Sequence, residues 1–282
     1  MGSPRRNLLI SAACLAVLAS GCARGARFDA PTIFGHYAAN GNFDASGAYL
    51  PASFGFTIAD VDSKAQLDGL PPGTTGLVYL GSCGGLSTQF RSHVAPYAGS
   101  RNLFGFFIID EPDPATCPAS RLAAESAYIH RQFPGARTFI TEQNLSGSGT
   151  PSFRGGYNHA NTGIDLFGLD PYPCRSEFRG CDYAMIDRYV AAAERAGLHR
   201  DVIIPVFQAF GGGEWVDDAG GHYQLPTPAQ AARIMDGWAH LVPNPVFDVV
   251  YSWGVQRHDV ALGGASEALR QTFLAHNLMQ MH

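Results

Sequence analysis

The chain is poor in charge and has no long apolar run. Charged residues make up 15% of its 282 residues, and the net charge is −5. A charge-rich disordered chain and electrostatic capture of nucleic acid are therefore not expected. The leading apolar stretch, Leu8 to Leu18, is too short for a membrane span. No Cys-x-x-Cys pair occurs, which disfavours a zinc site, and there is no His-Glu-x-x-His. Gly35-His36-Tyr37 lacks the second histidine of a strand-end metal pair. Gly211-Gly212-Gly213 follows a strand-like run without the Lys-Ser/Thr of a phosphate loop. Internal repeats and low-complexity tracts are missing as well. No cofactor or metal is expected.

What is present is apolar mass in a regular alternation. Apolar residues reach 46%, and about 250 residues suffice for one (β/α)8 barrel, so one core can account for most of the length. Residues 32–38, 54–61, 76–81, 104–110, 137–141, 164–169, 202–207 and 248–252 read as strands. Helical spacing marks 63–70, 119–133, 183–196, 229–241 and 266–278. Pro134-Gly135 stops the second of these and Gly197 caps the third. Thr227-Pro228 opens the fourth as N-cap and N1, and Ser266 caps the last. The segment after the fifth strand is irregular. Strands alternating with helices predict an α/β chain with a single (β/α)8 TIM barrel over residues 32–282.

The most informative stretch is Phe104-Gly105-Phe106-Phe107-Ile108-Ile109-Asp110-Glu111-Pro112-Asp113. Its first half has the composition of a strand buried on both faces. Two carboxylates at such a strand's end are costly unless they face a polar cavity or carry chemistry. Strict alternation puts Gly105, Phe107, Ile109 and Glu111 on one face, so Glu111 is expected to point into the barrel mouth and Asp110 away from it. Other polar and aromatic residues end the remaining strands: His36, Tyr37, Asp60, Asp62, Glu142, Gln143, Asn144, Asp170, Tyr172, Gln208 and Trp253. In a TIM barrel that end carries the active site. Asp and Asn also start turns and caps, and Asp62, Asp113 and Asn144 are read that way.

The N-terminus has the layout of a targeting segment: Arg5-Arg6, the apolar stretch, then Leu18-Ala19-Ser20-Gly21-Cys22. It resembles a bacterial lipoprotein signal over residues 1–22, in which Cys22 is lipidated after cleavage and residues 23–31 serve as a tether. The resemblance implies export and a lipid anchor in the membrane of the cell envelope. Cys14 is then lost with the signal. Cys83, Cys117, Cys174 and Cys181 remain, an even number suited to an oxidising compartment. Of the three possible pairings, Cys174–Cys181 closes a short loop and Cys83–Cys117 ties two successive loops. Gly81-Ser82-Cys83-Gly84-Gly85 also fits the spacing of a nucleophile elbow, which would make Cys83 the nucleophile of an acyl-transfer hydrolase.

The Asp110-Glu111-Pro112 turn after strand four resembles the Asn-Glu-Pro signature of (β/α)8 glycoside hydrolases, in which the Glu is the acid/base. Gly168-Leu169-Asp170-Pro171-Tyr172-Pro173 resembles a strand-six ending of glycosidase-like barrels, and Ser252-Trp253 their eighth strand, whose Trp floors the sugar site. The resemblance implies hydrolysis of a glycosidic bond in an envelope or extracellular polysaccharide by a monomer, with Glu111 as acid. Asp110 replaces the usual Asn. Gln208 stands near the usual strand-seven nucleophile, and Gln cannot fill that role. Two partners for Glu111 compete, with Asp60 a weaker third. Glu142, one strand away at about 4.8 Å, suits the roughly 5–5.5 Å gap of a retaining enzyme and is favoured. Asp170, two strands away at about 9–10 Å, suits an inverting one. His36, Tyr37, Asp60, Asp110, Tyr172, Gln208 and Trp253 are the expected sugar-binding residues. The missing strand-seven acid keeps open a carbohydrate-binding barrel without catalysis.

Overall fold

The structure, a computed structural model, describes residues 35–217 and 220–279. The signal-like segment, Cys22 and the tether lie outside the described residues.

Eight parallel strands close into a barrel: β1 (Gly35–Ala38), β2 (Ile58–Val61), β3 (Thr75–Tyr79), β4 (Leu103–Ile109), β5 (Arg137–Thr141), β6 (Leu166–Leu169), β7 (Ile203–Gln208) and β8 (Phe247–Tyr251). The seam is a four-residue register between β1 and β8, from Gly35 opposite Phe247 to Ala38 opposite Val250. The expected TIM barrel is therefore the fold, with each predicted strand in place. Around it lie α1 (Lys64–Asp68), α2 (Thr88–Val94), α3 (Ala119–Gln132), α4 (His159–Thr162), α5 (Ala184–Arg195), α6 (Pro228–Leu241) and α7 (Glu267–Met279). Sequence spacing did not mark α2, a short helix capped by the Ser87 side chain on the Phe90 N–H. Thr227 and Gln230 form a reciprocal capping box on α6, with Pro228 at N1. Among the described residues no helix is long and apolar enough to cross a membrane.

Period-two alternation sorts side chains into two cores. Tyr37, Ile58, Leu77, Phe107, Phe139, Val206, Phe247 and Val249 fill the barrel. Ala38, Phe106, Ile108, Ile140 and Phe167 face outward, into the same core as helix residues such as Leu122, Ile129, Ile186, Trp238 and Phe273. Inside, Phe107–Phe139 and Phe139–Phe247 ring centroids lie 4.7 and 5.2 Å apart, the tilted and edge-to-face contacts that aromatic quadrupoles favour.

Strand β4 departs from simple alternation. Its register slips once against β3, near Leu103–Gly105, and once against β5, between Phe107 and Ile109. Gly105 makes the approach to β5 possible, since a Cβ there would sit 2.1 Å from the Arg137 carbonyl oxygen. As a result Phe104 and Phe107 belong to the inner core while Ile108 and Ile109 both join the outer one. The inward positions are three residues apart, which brings Asp110 inward next.

Candidate active site

At the C-terminal end of the barrel the loops surround a cavity of about 840 Å³. Its lining includes Tyr37 from β1, Asp60 from β2 and Tyr79 from β3. Asp110 and Glu111 enter from the turn after β4, Thr141 and Gln143 from β5 and its end, Asp170 and Tyr172 from the turn after β6, and Tyr251 from β8. The long segments after β6 and β7 add Arg175, Phe210, Trp215, Asp217 and Tyr223. A two-stranded antiparallel ribbon, Phe210–Gly211 with Val260–Ala261, joins the loops after β7 and β8.

Both acids of the Asp-Glu-Pro turn line this cavity, which corrects the expectation that only Glu111 would. The β4 irregularities swing Asp110 inward, and Glu111 follows with φ +40°. That φ is uncommon for a non-glycine residue and concentrates at functional turns. Asp110 is exposed to the cavity but ringed by protein, and desolvation raises its pKa against a hydrogen bond from Thr141. Asp170 is pushed well above the ordinary carboxylate range, first by burial and then by the charges of Glu111 and Asp110. Tyr172 donates a hydrogen bond to it, and Tyr172 in turn packs against Phe210, Tyr223 and Tyr251 at 4.9, 5.7 and 5.7 Å. Asp60, held by the Asn40 N–H at 2.9 Å and by the Tyr37 hydroxyl, is raised by burial to about 6. These shifts mark a group of carboxylates that cannot all ionise cheaply.

Four expected site residues lie elsewhere. Glu142 is buried but absent from the cavity lining, because Thr141 and Gln143 take the inward positions of β5 and alternation turns Glu142 outward. Its carboxylate lies beside Gly156 and accepts from the Tyr157 N–H, and burial raises it to about 8. His36 is turned outward for the same reason, next to the inward Tyr37. Its Nδ1 meets Asp248 Oδ1 at 2.8 Å, and His276 Nε2 from α7 meets Asp248 Oδ2 at 2.8 Å. Gln208 is also off the cavity: its amide accepts from Cys174 N at 2.8 Å and donates to Cys174 O at 2.9 Å and Gln224 O at 3.0 Å. It braces a loop. Trp253 is buried against Phe54 and Phe56 and borders a separate shallow groove.

The disulfides are Cys83–Cys117 and Cys174–Cys181, with Cα atoms 5.8 and 4.1 Å apart. The first removes the nucleophile-elbow reading, because a sulfur in a disulfide is no thiolate. Of the residues read as turn formers, Asp113 accepts from the Ala115 N–H at 2.8 Å. Asn144 accepts from Ser146 and Ser152 N–H groups at 3.2 and 3.0 Å, and it also lines the cavity, as does Asp62.

Sequence reasoning missed Tyr79, Arg175, Asp217, Tyr223 and Tyr251. Tyr251 had a signal, since it stands two residues beyond the inward Val249. Arg175 and Tyr223 had none, because irregular segments carry no period. Arg175 is buried, ion-paired to Asp217, and stacked on Phe178 and Tyr223 at 5.5 and 5.7 Å.

No known family model and no curated protein sequence matches the chain. Solved structures do share its fold. A GH18 chitinase from the chitin utilization locus of Flavobacterium johnsoniae superposes with TM-score 0.56 at 8% identity, over 88% of this chain and 94% of that one. A GH18 chitinase from Cycas revoluta in complex with (GlcNAc)3 gives 0.55 at 11%, over 87% and 99%. A chitinase-like agglutinin from Robinia pseudoacacia gives 0.50 at 12%, over 86% and 98%. The likeness is one of fold: a closed (β/α)8 barrel.

Proposed function

We propose that this chain is a glycoside hydrolase acting on an envelope or extracellular polysaccharide, with Glu111 and Asp170 as its carboxyl pair. The observation that carries the reading is this pair, electrostatically linked and set among tyrosines at the catalytic end of the barrel. Burial, and then the charges of Glu111 and Asp110, hold the Asp170 carboxyl well above the ordinary carboxylate range. Glu111, the more exposed member, is the acid/base that protonates the glycosidic oxygen. Asp170 is its partner: the protonated alcohol leaves, water adds at the anomeric carbon, and the proton that water loses returns to the carboxyl pair. Most glycosidases divide the work between two carboxylates, whereas GH18 enzymes use a group of the substrate as part of the machinery. The absence of Glu142 from the cavity and of an acid on β7 is compatible with either scheme. Tyr172, Tyr223 and Tyr251 offer ring faces for the C–H side of a sugar. The fold shared with chitinases, one of them bound to (GlcNAc)3, supports an oligosaccharide as ligand.

The N-terminal pattern supports export and a lipid anchor at Cys22, and the two disulfides suit that route. A non-catalytic glycan-binding barrel is the second reading, favoured by Gln208 being committed to backbone bonds on β7 and by the fold being shared with an agglutinin.

The test is reducing-end release from bacterial and plant polysaccharides by the full chain carrying Cys22→Ser, with and without Glu111→Gln. Release by the parent alone is expected. Equal release by both sinks the role of Glu111, and binding without release by either establishes the agglutinin-like reading.

A further inference from the structure

The charge of the cavity is one-sided. Asp60, Asp62, Asp110, Glu111, Asp170 and Asp217 all line it, against Arg175 as the one cationic side chain among the described lining residues. Arg175 is already committed: its Nη1 pairs with Asp217 and, at 3.5 Å, with Glu177, and its Nε donates to Tyr172 O at 3.0 Å. An anionic glycan would meet this array with repulsion and no free partner. A neutral glycan needs only acceptors, which amides such as Gln143 and Asn144 supply without the cost of crowding like charges. Crowding already has a cost here, as the raised Asp60, Asp110 and Asp170 show.

The walls add a second, independent feature. Aromatic faces attract cations, and two rings of this cavity already hold one: the Arg257 guanidinium lies 4.1 Å from the Trp215 ring centroid and Arg175 lies 5.7 Å from that of Tyr223. Tyr37, Tyr79, Tyr172 and Tyr251 line the same space as the carboxylates. Carboxylates and aromatic faces together make a receptor for an ammonium group, whose three N–H donors match acceptor-only side chains.

We infer that the cavity takes glycans bearing free, protonated amino groups, an unacetylated amino-sugar chain, in preference to N-acetylated, neutral or uronic ones. The inference rests on the glycan-binding reading above and narrows it. An amine within reach of two carboxylates replaces repulsion by attraction. N-acetylation removes the charge and puts a neutral amide in its place. Asp62, an exposed lining residue, adds to the field without belonging to the Glu111–Asp170 pair.

The experiment is calorimetric binding to the full chain carrying Cys22→Ser and Glu111→Gln, at about pH 6 where an amine of ordinary pKa stays protonated. The probes are short oligomers of glucosamine, N-acetylglucosamine, glucose and galacturonate. The glucosamine oligomer is expected to bind at least about tenfold tighter than its N-acetylated counterpart, as one ion pair in a partly enclosed site allows. That ratio should shrink at least about threefold between roughly 0.05 and 0.5 M salt through screening. Adding Asp62→Asn should weaken the glucosamine oligomer more than the N-acetylated one and so lower the ratio between them. Equal or tighter binding of the N-acetylated or glucose oligomer, or a ratio insensitive to salt, overturns the inference and leaves the glycosidase standing. Failure of every oligomer to bind, with no hydrolysis of any polysaccharide by the Glu111-containing chain, overturns both.

Discussion

Two carboxylates, the half-buried Asp170 after β6 and the buried Asp248 on β8, have opposite fates. Asp248 on β8 faces the helices, clasped by His36 of β1 and His276 of α7, and its pKa is lowered although burial alone would raise it. The cluster ties the closing strand pair to the last helix. Its three ligand-type atoms lie within 4.8 Å of one another, but the two hydrogen bonds already account for the geometry. Asp170 faces the cavity with acids as its charged neighbours, and its pKa is raised. A buried acid with partners supports the fold. An acid pressed against other acids in a cavity costs the fold something.

Variants can break that contrast. The largest effect is expected from Glu111→Gln: a fall in hydrolysis of about 10³-fold, within the range for removal of a general acid, with a melting temperature within about 2 °C of the parent. A calorimetric scan beside the kinetic assay checks both halves. Asp248→Ala should do the reverse, costing about 3–5 kcal/mol in denaturant unfolding while folded molecules keep their turnover. The sign with pH follows from the lowered folded pKa. The stability from Asp248 is complete above the ordinary carboxyl value and is lost as pH falls through the folded one, so the variant's stability should fall less steeply below about pH 4.

Asp170→Asn is expected to lower hydrolysis about 10²-fold without destabilising the protein at neutral pH, because it removes a charge the site resists. Its folded pKa is raised, so the native state holds this proton more firmly than the unfolded chain. Its contribution is greatest in acid and declines as pH rises from the ordinary carboxyl value through the raised one. Thermal scans across pH should show a shallower decline in the variant. Glu142→Gln is the smallest change and sharpens the comparison most. With Glu142 raised from 4.5 to about 8, the parent loses stability as pH rises between those values. The variant should melt a few degrees higher near pH 8 with unchanged turnover. A large loss of turnover would return Glu142 to the chemistry.

The strands were legible because each is a short apolar run bounded by turn residues, and the helices because their caps are written in Thr227-Pro228, Gly197 and Pro134-Gly135. The cavity end of the barrel was legible because polar residues collect after the strands. The individual side chains were less so. His36 and Tyr37 were both assigned to the sugar site, yet neighbouring residues of a strand cannot share a face, and only Tyr37 points in. The pair Glu142 and Gln143 shows the same rule, and a stricter use of it would have found both answers from sequence. Asp110 is different: it was expected among the sugar-binding residues although strict alternation turned it away from the barrel mouth, and the irregular register of β4 brings it into the cavity lining.

By itself the sequence determined the fold class, the order of strands and helices and the position of the Asp110-Glu111-Pro112 turn, because these follow from local periodicity and turn chemistry, and it favoured the two disulfide pairs among three possible pairings. The tertiary structure alone decided which acids meet. Asp170 and Glu111 lie 59 residues apart in the chain, and Arg175, Asp217 and Tyr223 come from segments with no repeating pattern. Their electrostatic relations depend on barrel closure and on a β4 register that slips near Leu103–Gly105 against β3 and between Phe107 and Ile109 against β5, and neither is encoded in any short run of residues.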